Sequence, residues 1–227
     1  MKSKYFILIF GFLAFGQINA QVSETRSLSS FSSVSMGESI NVELVKGSKE
    51  EALVEVRGAD LSDVLTDISG DRLRIRMDGN RNFRNVTVNI RLTYVSIDEI
   101  DVSSSADLIS KGPLVSEDLD IEVSSSGDAI LEIEVTNLNI KVSSSGDLDL
   151  SGSATYQRVE VSSKGDYNAY DLESEEAELD VSSAGDAYVN VSRRIDAKAS
   201  SAGSVVDKGN PDKVYGDSSS SGKVRKY

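Results

Sequence analysis

The stretch Leu119-Asp-Ile-Glu-Val-Ser-Ser-Ser-Gly-Asp-Ala-Ile-Leu131 alternates apolar and polar residues up to Val123 and breaks at Ser-Ser-Ser-Gly, and the alternation resumes at Leu131-Glu-Ile-Glu-Val135. A period of two is the mark of a strand with one buried face, and a serine–glycine cluster between two such runs is turn chemistry. The central hexapeptide returns along the chain. It starts at Val102, Val123, Val142, Val161 and Val181, then fades through Ala199 and Ser218, at intervals of 21, 19, 19, 20, 18 and 19 residues. Alternation flanks each copy, as in Leu138-Asn-Ile-Lys-Val142 and Ala177-Glu-Leu-Asp-Val181. A near-constant period of about 19 indicates a stacked repeat, since so small a unit buries its apolar face only against its neighbours. The sequence predicts an all-β chain whose second half is a parallel β-helix, or solenoid, of about 19-residue coils.

Gly127, Gly146, Gly165, Gly185, Gly203 and Gly222 hold the same place in successive copies. They are read as structural turn residues that supply a positive φ, with the following Asp hydrogen-bonding to local amides. Coils stacked ~4.8 Å apart would align Ser124, Ser143, Ser162 and Ser182 in one column and Asp128, Asp147, Asp166 and Asp186 in another.

Residues 1–20 read as a signal peptide: Lys2 and Lys4, an apolar run from Tyr5 to Phe15, and a small residue at Ala20. That run is too short for a membrane-spanning helix, which needs about 20 apolar residues. The expected product is exported to the periplasm, the cell surface or the medium, begins near Gln21 and is not membrane-spanning after cleavage. The chain has no cysteine, which excludes disulfides and a lipoprotein anchor. Loss of Lys2 and Lys4 takes the net charge from −13 to −15, a field that opposes nucleic acid.

After a flexible stretch at 21–30, residues 31–95 read as an N-terminal β lobe ahead of the solenoid at 96–227. Ile40-Asn-Val-Glu-Leu44, Leu73-Arg-Ile-Arg-Met77 and Val86-Thr-Val-Asn-Ile-Arg-Leu92 alternate there, and Leu61 to Ile68 suggests a short helix. The lobe would cap one end of the stack and the tail from Lys208 to Tyr227 the other, because bare strand edges template aggregation. Phe31 to Gly58 with its Gly37-Glu-Ser-Ile-Asn41, the strands before Tyr94 and the serial Ser-Ser-Ser-Gly-Asp corners resemble the "putative auto-transporter adhesin, head GIN domain" family of exported Bacteroidetes proteins. That resemblance implies a right-handed, mostly parallel β-helix in or outside the cell envelope, and it brings no catalytic residues.

Four groups of residues bear on function. The aspartate column offers oxygen ligands to a cation such as calcium, with capping of the turns as the plainer role. Arg72, Arg74 and Arg76, with Arg81, Arg84 and Arg91 near them, form a basic patch for an anionic ligand, with pairing to the protein's own carboxylates as the alternative. The serines suit a hydroxyl ladder or simply turns. The absence of histidine removes Ser-His and Cys-His mechanisms. Stacked carboxylates approximate both glycosidase spacings, so spacing alone identifies no hydrolase. The sequence therefore points to a non-enzymatic binding protein, with no cofactor and a glycan or envelope protein as partner. A β-helical polysaccharide lyase or hydrolase and a ligand-free spacer are the alternatives, and oligomeric state is left open.

Overall fold

The computed structural model describes residues 21–79 and 83–226. The leader at 1–20 and Arg81 of the basic patch lie outside the described residues. Seventeen strands form one continuous sheet wound into a solenoid, with no α-helix among the described residues. The long strands β10 (Leu114–Val123), β11 (Asp128–Val142), β12 (Asp147–Val161), β13 (Asp166–Val181) and β14 (Asp186–Ala199) pair in parallel, each on the next. Apolar residues fall into columns, for example Ile140, Val159, Leu179 and Ala197, all buried in a common core.

The corners differ from expectation in an instructive way. In Ser124-Ser-Ser-Gly127 the Gly127 N–H donates to the Ser124 carbonyl at 2.9 Å, closing the turn. The positive φ values sit on the two residues before the glycine, 52° at Ser125 and 59° at Ser126, and recur at Ser144 and Ser145, Ser163 and Lys164, and Ser183 and Ala184. The corner glycines themselves are absent from the left-handed region. Gly127 is needed because a Cβ there would lie 2.8 Å from the Val102 carbonyl oxygen of the coil below, and at Gly146 2.7 Å from that of Val123. Glycine here serves close approach, while serine bears the backbone strain.

Each corner is tied to the next through its own backbone. The second left-handed residue donates to the carbonyl of the first in the following corner: Ser105 to Ser125 at 3.2 Å, Ser126 to Ser144 at 3.1 Å, Ser145 to Ser163 at 3.2 Å. Strand bonding therefore continues around the bend, and the register cannot slip at a corner without breaking it.

The repeat reaches further back than the sequence suggested. Met36-Gly-Glu-Ser-Ile-Asn41 is itself a corner, with φ of 63° at Glu38 and 58° at Ser39, and Ser39 N–H bonds to the Ser104 carbonyl. Its flanking strands β2 (Ser33–Met36) and β3 (Asn41–Lys46) pair in parallel on one side with β8 (Glu99–Val102) and β9 (Asp107–Lys111). On the other side they pair in parallel with β6 (Arg72–Met77) and β7 (Thr87–Tyr94). Residues 33–46 thus lie between two coils that come later in the chain. Beyond β6 and β7 the direction reverses: β5 (Val64–Ser69) runs antiparallel to β6, β4 (Glu51–Arg57) antiparallel to β7, and β1 (Val22–Ser27) antiparallel to β4. These three strands close that end.

Two expectations need correction. The helix foreseen at 61–68 is a single 3-10 turn, Leu61–Asp63, followed by β5. There Val64, Thr66 and Ile68 lie opposite Met77, Ile75 and Leu73, and cross-strand packing of these β-branched residues outweighs helix propensity. The tail does not fold over the end of the stack but forms another coil, β16 (Lys213–Ser218) on β14 and β17 (Lys223–Lys226) on β15 (Ser204–Asp207). Inside, Tyr167 is wholly buried, and its hydroxyl donates to Gln157 Oε1 at 2.9 Å, while Gln157 Nε2 donates to Ser174 Oγ at 2.7 Å. Burial raises the Tyr167 phenol well above its ordinary value.

Three outcomes follow. Gly146→Ala would bring a Cβ to 2.7 Å from the Val123 carbonyl oxygen and should cost about 1–3 kcal/mol by overpacking, with Gly146→Val costing more. Ser145→Gly should be neutral or up to about 1 kcal/mol stabilising, since it relieves left-handed strain; urea midpoints at constant m-value measure both. Tyr167→Phe strands a buried acceptor and should cost about 1–3 kcal/mol, and a second change, Gln157→Leu, should recover part of that loss in a double-mutant cycle.

Candidate functional site

The register along the solenoid turns one sequence position per coil into a ladder. The first residue after each corner forms the column Asn89, Asn41, Asp107, Asp128, Asp147, Asp166, Asp186, Ser204 and Lys223. The four aspartates singled out in the sequence do stack, with Asp107 as a further rung. They do not cap the turns, whose N–H groups are taken by backbone carbonyls. Asp128 instead lies between Asp107 and Asp147 in the ladder, paired in register with each. Partial burial first, and then the Asp147 carboxylate, raise the Asp128 carboxyl above its ordinary value, against a lowering effect of Asp107. The same causes raise Asp107 through Asp128, and Asp166 through Asp147, Asp186 and Asp149. Among the described residues no three acidic side chains converge as a metal-binding group.

The neighbouring outward column runs Arg91, Glu43, Ile109, Ile130, Asp149, Asn168, Tyr188, Val206 and Arg225. Between these two ladders an open groove of about 420 Å³ is lined by Asp147, Leu148, Asp149, Asp166, Asn168, Tyr170 and Tyr188. The two phenol rings meet edge to face, with centroids 5.3 Å apart, and Lys208 Nζ lies 5.3 Å from the Tyr170 centroid. Asn168 Nδ2 donates to Asp149 Oδ1 at 2.6 Å, and the Tyr170 N–H reaches Asn168 Oδ1 at 3.4 Å, which orients the amide. A pairing irregularity between β13 and β14 just after Asn168 interrupts the ladder at Tyr170. The Tyr188 phenol is raised by partial burial and by Asp186 and Asp166, against a lowering effect of Arg225.

Tyr170 and Tyr188 of this groove lie outside the four groups of residues that the sequence singles out. The signal was present in the spacing: Tyr188 occupies the position two residues after Asp186 that Asn168 occupies after Asp166, and Tyr170 follows two residues later.

The basic patch is largely self-satisfied. Arg72 pairs with Glu99, Arg76 with Asp67 at 2.9 Å, and Arg91 with Glu43 at 3.0 Å. Arg74 projects outward from the same strand between them. A second groove, of about 350 Å³, runs over this face and is lined by Arg72, Glu99, Asp120, Lys141 and Arg158, a mosaic of both signs.

Fold and surface together define a β-solenoid that presents ladders of polar side chains on an otherwise closed core. Residues 30–211 match the family described as "Putative auto-transporter adhesin, head GIN domain", and the chain belongs to that family. Among solved structures it resembles a "putative adhesin" from Bacteroides fragilis, at 20% identity and a TM-score of 0.83, covering 92% of this chain and 97% of that one. A "putative adhesin" from Parabacteroides merdae aligns at 17% identity and a TM-score of 0.75, over 91% and 96%. A "Putative lipid binding protein" from Parabacteroides distasonis aligns at 20% identity and 0.69, over 90% and 96%. No curated protein matches the sequence. No helix among the described residues is long and apolar enough to cross a membrane.

Folding raises the pKa of Asp107, Asp128 and Asp166, so the folded chain holds these protons more tightly than the unfolded one. The column therefore favours the folded state most below the ordinary aspartate value of about 3.9, and loses that contribution as pH rises through the raised values. Asp128→Asn should raise Tm at neutral pH and narrow its advantage in acid; Asn41 Nδ2 already donates to Asn89 Oδ1 at 2.9 Å in the same ladder, so an amide fits there. Thermal melts of both proteins from pH 3 to 8 measure the difference.

Proposed function

We propose that this is an exported, non-enzymatic adhesin-type protein that binds glycan along the Tyr170–Tyr188 groove. The observation that carries the reading is the conjunction of two aromatic rings with Asp147, Asp149, Asp166 and Asn168 in one open groove. A tyrosine ring offers a flat apolar surface to the C–H face of a sugar and a polar tip to its hydroxyls. Carboxylate and amide groups beside it accept from, and donate to, adjacent hydroxyls. The three carboxylates of Asp147, Asp149 and Asp166 disfavour a polyanion, so the ligand class is a neutral or amine-bearing glycan.

Several features support binding over turnover. The raised carboxyls of Asp107, Asp128 and Asp166 all owe their shifts first to partial burial. The connectors between coils are short, and the groove is open along the sheet instead of being walled by long loops. Export rests on the leader-like residues 1–20, and the partner on the groove chemistry.

Retention of the chain from Gln21 onward on an array of neutral, amine-bearing and anionic glycans tests the reading. Binding to the first two classes should fall about tenfold in Tyr188→Ala, the loss of one stacking contact of about 1.4 kcal/mol, with no new reducing or unsaturated ends released. Undiminished binding by Tyr188→Ala places the ligand elsewhere, and release of new ends makes the protein an enzyme.

A further inference from the structure

Charge is distributed along the solenoid very unevenly. Residues 96–192 carry 22 acidic and 4 basic side chains, whereas residues 193–227 carry 8 basic and 4 acidic ones. The switch coincides with the end of the stack. Lys223 ends the column that holds five aspartates, Arg225 ends the column of Tyr188, Lys226 follows Val189 and Asp207, and Lys213 follows Arg194. Arg193, Arg194 and Lys208 are engaged with Glu175 and Glu176, Asp196, and Asp171 respectively. Lys213, Lys223 and Arg225 have no ion-pair partner among the described residues and are exposed.

The last coil is also built differently inside. The inward column that reads Val159, Leu179 and Ala197 ends in Gly216, and the column Val161, Val181 and Ala199 ends in Ser218. The apolar cross-section tapers, so the end of the stack is not an oily face awaiting another coil. What it does present is Val214, 62% exposed, and Tyr215, 52% exposed with the Arg194 guanidinium 5.3 Å from its ring centroid.

We propose that the C-terminal coil is a docking surface for an anionic lipid bilayer, on which the solenoid stands by its tip. Unpaired cations spread across a blunt end, without converging on a pocket, match a field of headgroup phosphates better than a single small anion. Tyr215 and Val214 add the amphipathic and apolar groups that favour the headgroup region. A second copy joined tip to tip would oppose Lys213, Lys223, Arg225 and Lys226 to their own kind, which disfavours self-pairing. The acidic flank sets the orientation, since the same lipid charge that attracts the tip repels residues 96–192. The inference rests on the last coil and not on ligand binding in the Tyr170–Tyr188 groove.

The test is co-sedimentation of the chain from Gln21 onward with phosphatidylcholine vesicles, with and without about 30 mol % phosphatidylglycerol, at about 0.05 M and about 0.5 M salt. Binding should require the anionic lipid, fall with salt, and drop at least about tenfold in the triple variant Lys213→Glu, Lys223→Glu, Arg225→Glu. The mid-solenoid pair Lys141→Glu, Lys164→Glu should bind as the parent does, and circular dichroism melts confirm that each variant folds. Equal binding to neutral vesicles, equal loss in the mid-solenoid pair, or no vesicle binding would each overturn the proposal. So would a salt-sensitive dimer in sedimentation velocity, abolished by the tip variant without any vesicle binding, which would assign the tip to a second copy.

Discussion

The close approach of one coil's corner to the backbone beneath it is the constraint on which the rest of this protein depends. At Gly127, Gly146, Gly165, Gly203 and Gly222 the backbone passes so near the carbonyl of the previous coil that a side chain would collide, and the bend is made by two left-handed residues before the glycine. That arrangement lets hydrogen bonding run through the bends as well as along the strands. A solenoid bonded continuously around its perimeter has one register, and one register is what turns a repeated sequence position into a column of like side chains. The core and both outward ladders are consequences of it.

Much of this was legible in the chain because it is written many times. The period of about 19, the alternation around Val123 and Val142, and the aspartate after each corner fix the architecture and the ladder without coordinates. The physical role of the glycine was not legible. A Ser-Ser-Ser-Gly turn looks the same whether glycine is there for its φ or for its missing Cβ, and only the neighbouring coil distinguishes them. Met36-Gly-Glu-Ser-Ile-Asn41 escaped as a corner because Ile40 stands where later coils have glycine, and the coil next to it on that side, β6 and β7, leaves the corner path after Met77.

The candidate site was harder still. Tyr170 and Tyr188 are 18 residues apart, and they meet only because the strand irregularity after Asn168 brings them together across neighbouring coils. Periodicity predicts columns and fails wherever a bulge shifts one coil against the next. The arginines show the converse: their clustering in sequence was plain, but pairing of Arg72, Arg76 and Arg91 with Glu99, Asp67 and Glu43 depends on which strands lie side by side. Groups that face each other through topology leave no mark on local sequence.

The interleaving of residues 33–46 between two later coils carries a consequence for how the molecule comes into being. A simple spiral would wind itself lap by lap from its amino end. This one cannot, because its second lap has bare edges on both sides until residues 72–94 have turned back beneath it and residues 99–111 have passed above. Completion of that start involves contacts distant in sequence, which carry the larger loop-closure cost. Every later lap then finds a finished template and is added at little entropic cost. The cap is therefore the seed from which winding proceeds, as well as the cover on its end.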